Sequence, residues 1–144
     1  MTANKKVRIL LVEDNDNDVF LVKAALDAAS IACDIEIERD GAEGLSLMSR
    51  IGRGEIPCPD LLLLDLNLPK VTGDRILREA RQNPLSANLP IIVMSSSGAY
   101  REMATVVQLG IWHYFRKPNS MEEYMMLGPI VRDAIRHSAS NKPS

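Results

Sequence analysis

Short apolar runs alternate along this chain with longer segments that repeat every three or four residues. The runs are rich in Leu, Ile and Val and too short for ordinary helices, which favours strands, most of them buried. Five strands are predicted, at about 7–12, 34–38, 61–64, 89–94 and 111–115. The second alternates apolar and acidic residues, which is typical of a strand near the edge of a sheet. The third is four consecutive leucines and ends on Asp65, an ionisable residue that a core tolerates only with compensation.

The segments after each strand have the apolar spacing of amphipathic helices, so a helix is predicted after every strand. The last helix begins with Ser120 as N-cap and Glu123 at the capping-box position. Gly128 and Pro129 fall inside it, and because proline removes a hydrogen bond there, a kink or break is predicted. Regular alternation of strand and helix predicts an α/β fold, a three-layer, doubly wound (βα)5 parallel sheet covered on both faces.

Size and composition suit one intracellular domain. The 144 residues are expected to form a single domain, 1–144, with a core at about 6–137 and a flexible tail at 138–144. A formal charge of −2 gives no reason to expect nucleic-acid binding. No apolar run approaches the ~20 residues of a membrane helix, and no secretory signal is visible. Cys33 and Cys58 are expected to be thiols in a reducing cytoplasm, although the sequence also allows one disulfide.

Polar side chains follow four of the five predicted strands. Glu13 and Asp14 end the first strand and Asp65 the third, while Ser95 ends the fourth and Lys117 the fifth. Because the carboxyl ends of parallel strands meet at one edge of a sheet, these side chains should converge in one crevice. Carboxylates this close repel one another unless a cation binds between them. Oxygen ligands without Cys or His suit Mg²⁺, with Mn²⁺ as the alternative.

The residue types in this crevice suit phosphoryl chemistry. Lys117 offers a point charge and Ser95 a hydroxyl donor to a phosphoryl group. Asp65 is of the residue type that forms aspartyl phosphates as an in-line nucleophile. Singly, each has an ordinary interpretation: an aspartate that caps a turn or helix, a solvated lysine and a serine-rich turn. Their joint position at the strand ends favours a functional site.

At these positions the sequence resembles the receiver domain of two-component response regulators, over nearly the whole chain. The matching stretches are residues 12–14, 64–69 with Gly73, 90–95 and 114–118. The resemblance implies that Asp65 is the phosphoacceptor. It implies that Asp14 and the backbone carbonyl of Asn67 are metal ligands, and that Glu13 holds the ion through water.

The same resemblance implies a switch. Ser95, where the family more often has threonine, would swing toward the phosphoryl group, and Lys117 would pair with it. Tyr114 matches the aromatic residue that packs inward upon activation. The Lys117–Pro118 peptide bond is expected to be cis, as this bond usually is in the family.

The implied function is a Mg²⁺-dependent phosphoryl transfer from the phospho-His of a sensor histidine kinase to Asp65. This transfer would switch a protein-interaction surface on the fourth helix, fifth strand and fifth helix, which could also form a homodimer. Gly128-Pro129 puts a dimer surface on the last helix in doubt. Residues 15–19, the loop before Asp60 and the turn at 68–70 are similar to regulators paired with bacterial phytochromes, which lack an output domain. The chain would then be a phosphoacceptor that only phosphorylates and dephosphorylates itself, rather than an enzyme with turnover.

Three alternatives stay open. A phosphorylation-independent, receiver-like adaptor would keep the fold, but the complete set of acids with Lys117 argues against it. An FMN-binding flavodoxin-like protein would share the fold class, but Glu13 and Asp14 would repel its bare phosphate. A phosphatase with an aspartate nucleophile would want a second acid at position 67, where this chain has Asn67.

Overall fold

The computed structural model describes residues 6–96 and 100–141. The strands are β1 (Val7–Val12), β2 (Cys33–Glu38), β3 (Leu61–Asp65), β4 (Ile91–Ser95) and β5 (His113–Arg116). The helices are α1 (Asp16–Ala28), α2 (Gly41–Gly52), α3 (Gly73–Gln82), α4 (Tyr100–Leu109), α5 (Met121–Tyr124) and α6 (Leu127–Asn141). Residue 99, where the fourth helix was predicted to begin, lies outside the described residues.

All neighbouring strands are parallel, in the order β2-β1-β3-β4-β5. The predicted (βα)5 sheet is therefore confirmed, with β2 at one edge as its alternating pattern indicates. Leu64 of β3 lies in register with Val12 of β1 on one side and Val93 of β4 on the other. The residues that follow these three strands consequently emerge side by side at one edge of the sheet.

The four leucines of β3 divide between two apolar layers. Leu62 and Leu64 pack with the side chains of α2 and α3, and Leu61 and Leu63 pack with those of α1 and α6. All four are completely buried. Since burial of a leucine side chain contributes about 1.5–3 kcal/mol, β3 is held firmly from both faces. This central strand is the rigid support on which Asp65 sits.

Side-chain caps begin two of the helices, and the cap at Ser120 is the one that the sequence analysis predicts. The Asn15 side chain caps α1 by accepting a hydrogen bond from the backbone N–H of Asp18 at 2.9 Å. Ser120 caps α5 by accepting from the N–H of Glu123 at 3.1 Å. The first of these caps begins α1 only four residues after β1 ends and brings Asp18 to the carboxyl edge of the sheet.

The predicted break in the last helix is confirmed, but it comes slightly before Gly128. Helix α5 ends at Tyr124 and α6 begins at Leu127. Pro129 consequently lies in the first turn of α6, where a backbone N–H would have no helical partner to lose. A Cβ on Gly128 would come within 2.7 Å of the carbonyl oxygen of Ala25, so this glycine allows α6 to approach α1 closely.

Two sequence expectations are corrected and a third stays a prediction. Helix α6 runs to Asn141, which lies within the segment 138–144 that is expected to form a flexible tail, and the flexibility of that segment stays a prediction. Strand β5 begins at His113, two residues later than predicted. No peptide bond among the described residues is cis, so the expectation of a cis Lys117–Pro118 bond is wrong. The trans form is intrinsically favoured by about 0.5–1 kcal/mol, and Lys117 reaches the carboxylates from it.

The structure also bears on the two cysteines and on the search for membrane-spanning helices. Cys33 and Cys58 are thiols rather than a disulfide. In the part of the chain that the structure describes, no helix has the length and apolar character needed to cross a bilayer.

Candidate functional site

The sheet brings the five predicted site residues to one edge. Glu13, Asp65 and Ser95 are buried, Lys117 is largely buried and Asp14 is exposed. Backbone hydrogen bonds extend the strand ends into this edge, for example from Lys117 N–H to the carbonyl of Ser95 at 2.8 Å. The side chains that the sequence places at separate strand ends therefore share one crevice.

Glu13, Asp14 and Asp65 form an acid cluster suited to a cation. One carboxylate oxygen from each lies within 4.8 Å of the others. Glu13 Oε2 is buried and pairs with Lys117 Nζ at 3.0 Å, and no other donor reaches it among the described residues. A buried carboxylate oxygen with a single ionic partner can also serve as a ligand of a hard cation, and exposed Asp14 gives access from solvent. The residues present thus fit Mg²⁺ or Mn²⁺.

The cluster is electrostatically strained without a cation. Burial, with a further contribution from the charge of Asp65, raises the pKa of Glu13 to about 7, and Lys117 offsets only part of the rise. Burial thus favours the protonated form of Glu13 more than water does. A divalent cation would compete with that proton for the same carboxylate.

Lys117 is held by three carboxylates. Its Nζ lies 2.9 Å from Asp18 Oδ2, 3.0 Å from Glu13 Oε2 and 3.6 Å from Asp65 Oδ1. Burial alone would lower the pKa of Lys117, but the hydrogen bond to Asp18 and the charges of the other two acids outweigh burial and raise it. The lysine therefore stays a cation beside Asp65.

Asp18 is a member of this site that sequence reasoning missed. Its Oδ1 accepts a hydrogen bond from Tyr124 Oη at 3.1 Å, and its Oδ2 faces Lys117. The Tyr124 ring is 1% exposed, and burial together with the charge of Asp18 raises the pKa of Tyr124 well above its usual range. The sequence offered one signal for this role of Asp18, since it comes four residues after Asp14, at the start of the predicted first helix. The acids at the start of α1 are not equivalent, since the Asp16 side chain is exposed and pairs with Arg39.

The two predicted switch residues share an acceptor. Ser95 Oγ lies 2.7 Å from Glu102 Oε1 on α4, and Tyr114 Oη lies 3.0 Å from the same oxygen. Ser95 Oγ is also 3.0 Å from Asn67 Oδ1. Glu102 belongs to no motif, and only the packing of α4 beside β4 and β5 reveals its position. The arrangement links the two residues that the sequence assigns to switching.

Asn67 supports the loop after β3. Its backbone N–H donates to Asp65 Oδ1 at 3.0 Å, and its side-chain oxygen also accepts from the N–H of Ser96 at 3.2 Å. The first bond orients the Asp65 carboxylate at the end of its strand. The predicted role of the Asn67 carbonyl as a metal ligand stays a prediction.

Comparison with known sequences agrees with this geometry. A family model described as the response regulator receiver domain matches residues 9–127. Response regulator Rcp1 of Synechocystis sp. is 34% identical over 122 residues, which cover 84% of this chain and 83% of Rcp1. The transcriptional regulatory protein TrcR of Mycobacterium tuberculosis is 32% identical over 133 residues, but the match covers only 47% of TrcR.

Solved structures are similar over most of the chain. The phosphorylated cyanobacterial phytochrome response regulator RcpA superposes with a TM-score of 0.79 at 28% identity, covering 90% of this chain and 93% of RcpA. The Mn²⁺-bound form of Rcp1 gives a TM-score of 0.77 at 32% identity, covering 86% of this chain and 91% of Rcp1.

Proposed function

We propose that this chain, which belongs to the response regulator receiver family, is phosphorylated on Asp65 by the phospho-His of a sensor histidine kinase. One arrangement carries the proposal. Asp65 ends the central strand with Lys117 Nζ 3.6 Å from its carboxylate, beside the two other acids of the cluster. A nucleophile, a fixed cation and a divalent-cation site are the groups that phosphoryl transfer to a carboxylate requires.

The metal ion would be Mg²⁺, or Mn²⁺ as in the Rcp1 structure, held by Glu13, Asp14, Asp65 and the backbone carbonyl of Asn67. When bound, it supplies positive charge that neutralises the carboxylates and the oxygens of an incoming phosphoryl group. The fit rests on the three carboxylate oxygens, one each from Glu13, Asp14 and Asp65, that lie within 4.8 Å of one another.

The protein's own side chains perform the transfer. A carboxylate oxygen of Asp65 attacks phosphorus, the P–N bond to the kinase histidine breaks, and the electron pair stays with the imidazole, which takes up a proton. Lys117 pairs with one phosphoryl oxygen, and Ser95 Oγ donates a hydrogen bond to another. Both residues are already tied to strand ends, so little chain entropy is lost in aligning them.

Switching follows from the change of partner at Ser95. To reach the phosphoryl group, the Ser95 hydroxyl leaves Glu102 Oε1, the oxygen that it shares with Tyr114. Tyr114 is partly buried and its ring moves inward as Ser95 shifts. Since α4 carries Glu102, the change alters the face made by α4, β5 and the predicted fifth helix, which the structure divides into α5 and α6. Phosphorylation would thus shift the equilibrium between two packing arrangements of α4.

The partner is a kinase and, for output, a target protein or a second copy that binds the face made by α4, β5, α5 and α6. The likeness to the phytochrome response regulator RcpA supports a bacterial phytochrome as that kinase. Val107 on α4 and Met121 on α5 are more than half exposed and offer apolar contacts for a homodimer. We place this switch in the cytoplasm, without nucleic-acid or membrane partners and without turnover as an enzyme.

The test is the phosphoryl adduct itself. The protein and its Asp65→Asn variant are incubated with Mg²⁺ and acetyl phosphate, and separately with a phosphorylated histidine kinase, and intact mass is recorded. We expect a Mg²⁺-dependent adduct that Asp65→Asn lacks and that a chelator prevents. Asp27→Asn, which removes an exposed carboxylate at the far end of α1, should still form it. No adduct with either donor would overturn the proposal and favour the phosphorylation-independent adaptor.

A further inference from the structure

Asp18 is the best-placed counter-ion of Lys117. Its Oδ2 makes the shortest of the three carboxylate contacts to Nζ, at 2.9 Å. Its other oxygen is held by Tyr124, whose ring packs edge-on against Phe115 with centroids 5.5 Å apart. The backbone N–H of Asp18 is held by the cap residue Asn15. Both oxygens of the carboxylate are therefore held, one of them directed at the lysine, and the helix cap holds the backbone of the same residue.

The other two carboxylates around Lys117 have a second use. Glu13 and Asp65 belong to the acid cluster that fits a divalent cation, whereas Asp18 does not. Their charge would be shared with the ion, so the attraction of Asp18 for Lys117 would remain at full strength. The ammonium group has three N–H donors, and they already face three carboxylates. A phosphoryl oxygen on Asp65 would be a further acceptor and would have to share a donor with these carboxylates, Asp18 among them.

We propose that Asp18 is a positioning residue that competes with the phosphoryl group for Lys117 and thereby weakens the hold of the site on that group. This inference rests on the proposed function. The Asp18 side chain is 17% exposed, so water can solvate it when the lysine moves away and the exchange stays reversible. Removing its charge should leave Lys117 more available to an anion at Asp65. The site would then bind phosphoryl-like anions more tightly.

Affinity for beryllium fluoride, an analogue of the phosphoryl group, measures this competition at equilibrium. Titrations at saturating Mg²⁺, followed by calorimetry or ¹⁹F NMR, would compare the wild type with Asp18→Asn. The loss of this largely buried ion pair predicts binding about fivefold tighter, which is about 1 kcal/mol, because the cost of burying the two charges offsets most of their attraction. Damage to the fold would weaken binding, so a gain in affinity separates competition from a merely structural role.

Two variants on the same turn serve as controls. Asp16→Asn removes an equal charge from a side chain that is 86% exposed and paired with Arg39. It therefore tests the effect of net charge on binding without any change in the contact with Lys117. Asp18→Glu keeps the charge and should bind like the wild type. Asp18→Ser is a second neutral variant, for use if Asp18→Asn fails to fold. We expect only the neutral variants at position 18 to bind more tightly.

Each outcome is decisive. If the wild type binds no beryllium fluoride and takes no phosphoryl group from a kinase, the proposed function is refuted, and the inference that rests on it is refuted as well. If the wild type binds and the neutral position-18 variants bind equally or more weakly, competition by Asp18 is refuted. An equal gain in Asp16→Asn would also refute it, because the effect would then come from net charge rather than from contact with Lys117.

Discussion

Glu13→Gln in the metal-free protein is expected to remove a pH dependence of stability that the wild type has. Glu13 is fully buried, and its pKa is raised from 4.5 to about 7, first by burial and then by Asp65. The folded state consequently holds the proton more tightly than the unfolded chain. The proton bound to Glu13 therefore stabilises the folded state. This contribution is fully present below the pKa that Glu13 has in the unfolded chain, and it is lost as the pH rises through the pKa that Glu13 has in the folded state.

The magnitude follows from proton linkage. Between about pH 5.5 and pH 8 the difference between pKa values of 4.5 and about 7 corresponds to a loss of about 2 kcal/mol. Screening by water that reaches the neighbouring exposed Asp14 reduces the expected value to about 1–2 kcal/mol. Glutamine has the same shape and can still accept the N–H of Asn15, which lies 3.2 Å from Glu13 Oε1.

Urea denaturation in the presence of a chelator measures the effect. The free energy of unfolding of the wild type should fall by about 1–2 kcal/mol more than that of Glu13→Gln between about pH 5.5 and pH 8. Glu122→Gln changes an exposed glutamate and should follow the wild type. If wild type and Glu13→Gln lose stability in parallel, Glu13 titrates near its ordinary value and the strained acid cluster is refuted.

Two further changes probe the loop after β3 and the switch. Gly73→Ala would place a Cβ 2.6 Å from the carbonyl oxygen of Asp65. We therefore expect denaturation to show a free energy of unfolding lower by about 1–3 kcal/mol, and phosphorylation to be slower. Unchanged stability would show that the backbone at this position adjusts without cost. Glu102→Ala removes the acceptor shared by Ser95 and Tyr114, so the NMR signals of the Tyr114 ring should show added exchange broadening without any phosphoryl group. Unaltered ring signals would argue against a role for Glu102 in holding the switch.

The fold was predictable because its determinants are local in sequence. Leu61 to Leu64 can be buried on both faces only in a central strand, and Asn15 and Ser120 cap helices through hydrogen bonds that span three residues. The alternation of such segments leaves few ways to arrange them. The location of the site followed from the same rule, since the carboxyl ends of parallel strands share an edge.

Exact boundaries were less predictable because they depend on packing. The break between α5 and α6 precedes Gly128, whose missing side chain lets α6 approach Ala25 of α1. The expected cis bond before Pro118 was wrong, since the trans chain already brings Lys117 to its carboxylates. These features are decided by contacts between elements that are distant in sequence.

By itself, the sequence determined the order of the strands and helices, the edge at which the acids and Lys117 meet, and the identity of the groups there. Only the tertiary structure decided which further side chains join them. Asp18 and Tyr124 are 106 residues apart and meet because α1 and α5 pack on the same face of the sheet. The physical reason is that a strand or a cap depends on neighbours in the chain, whereas a polar network depends on the distances between elements, which the packed core sets.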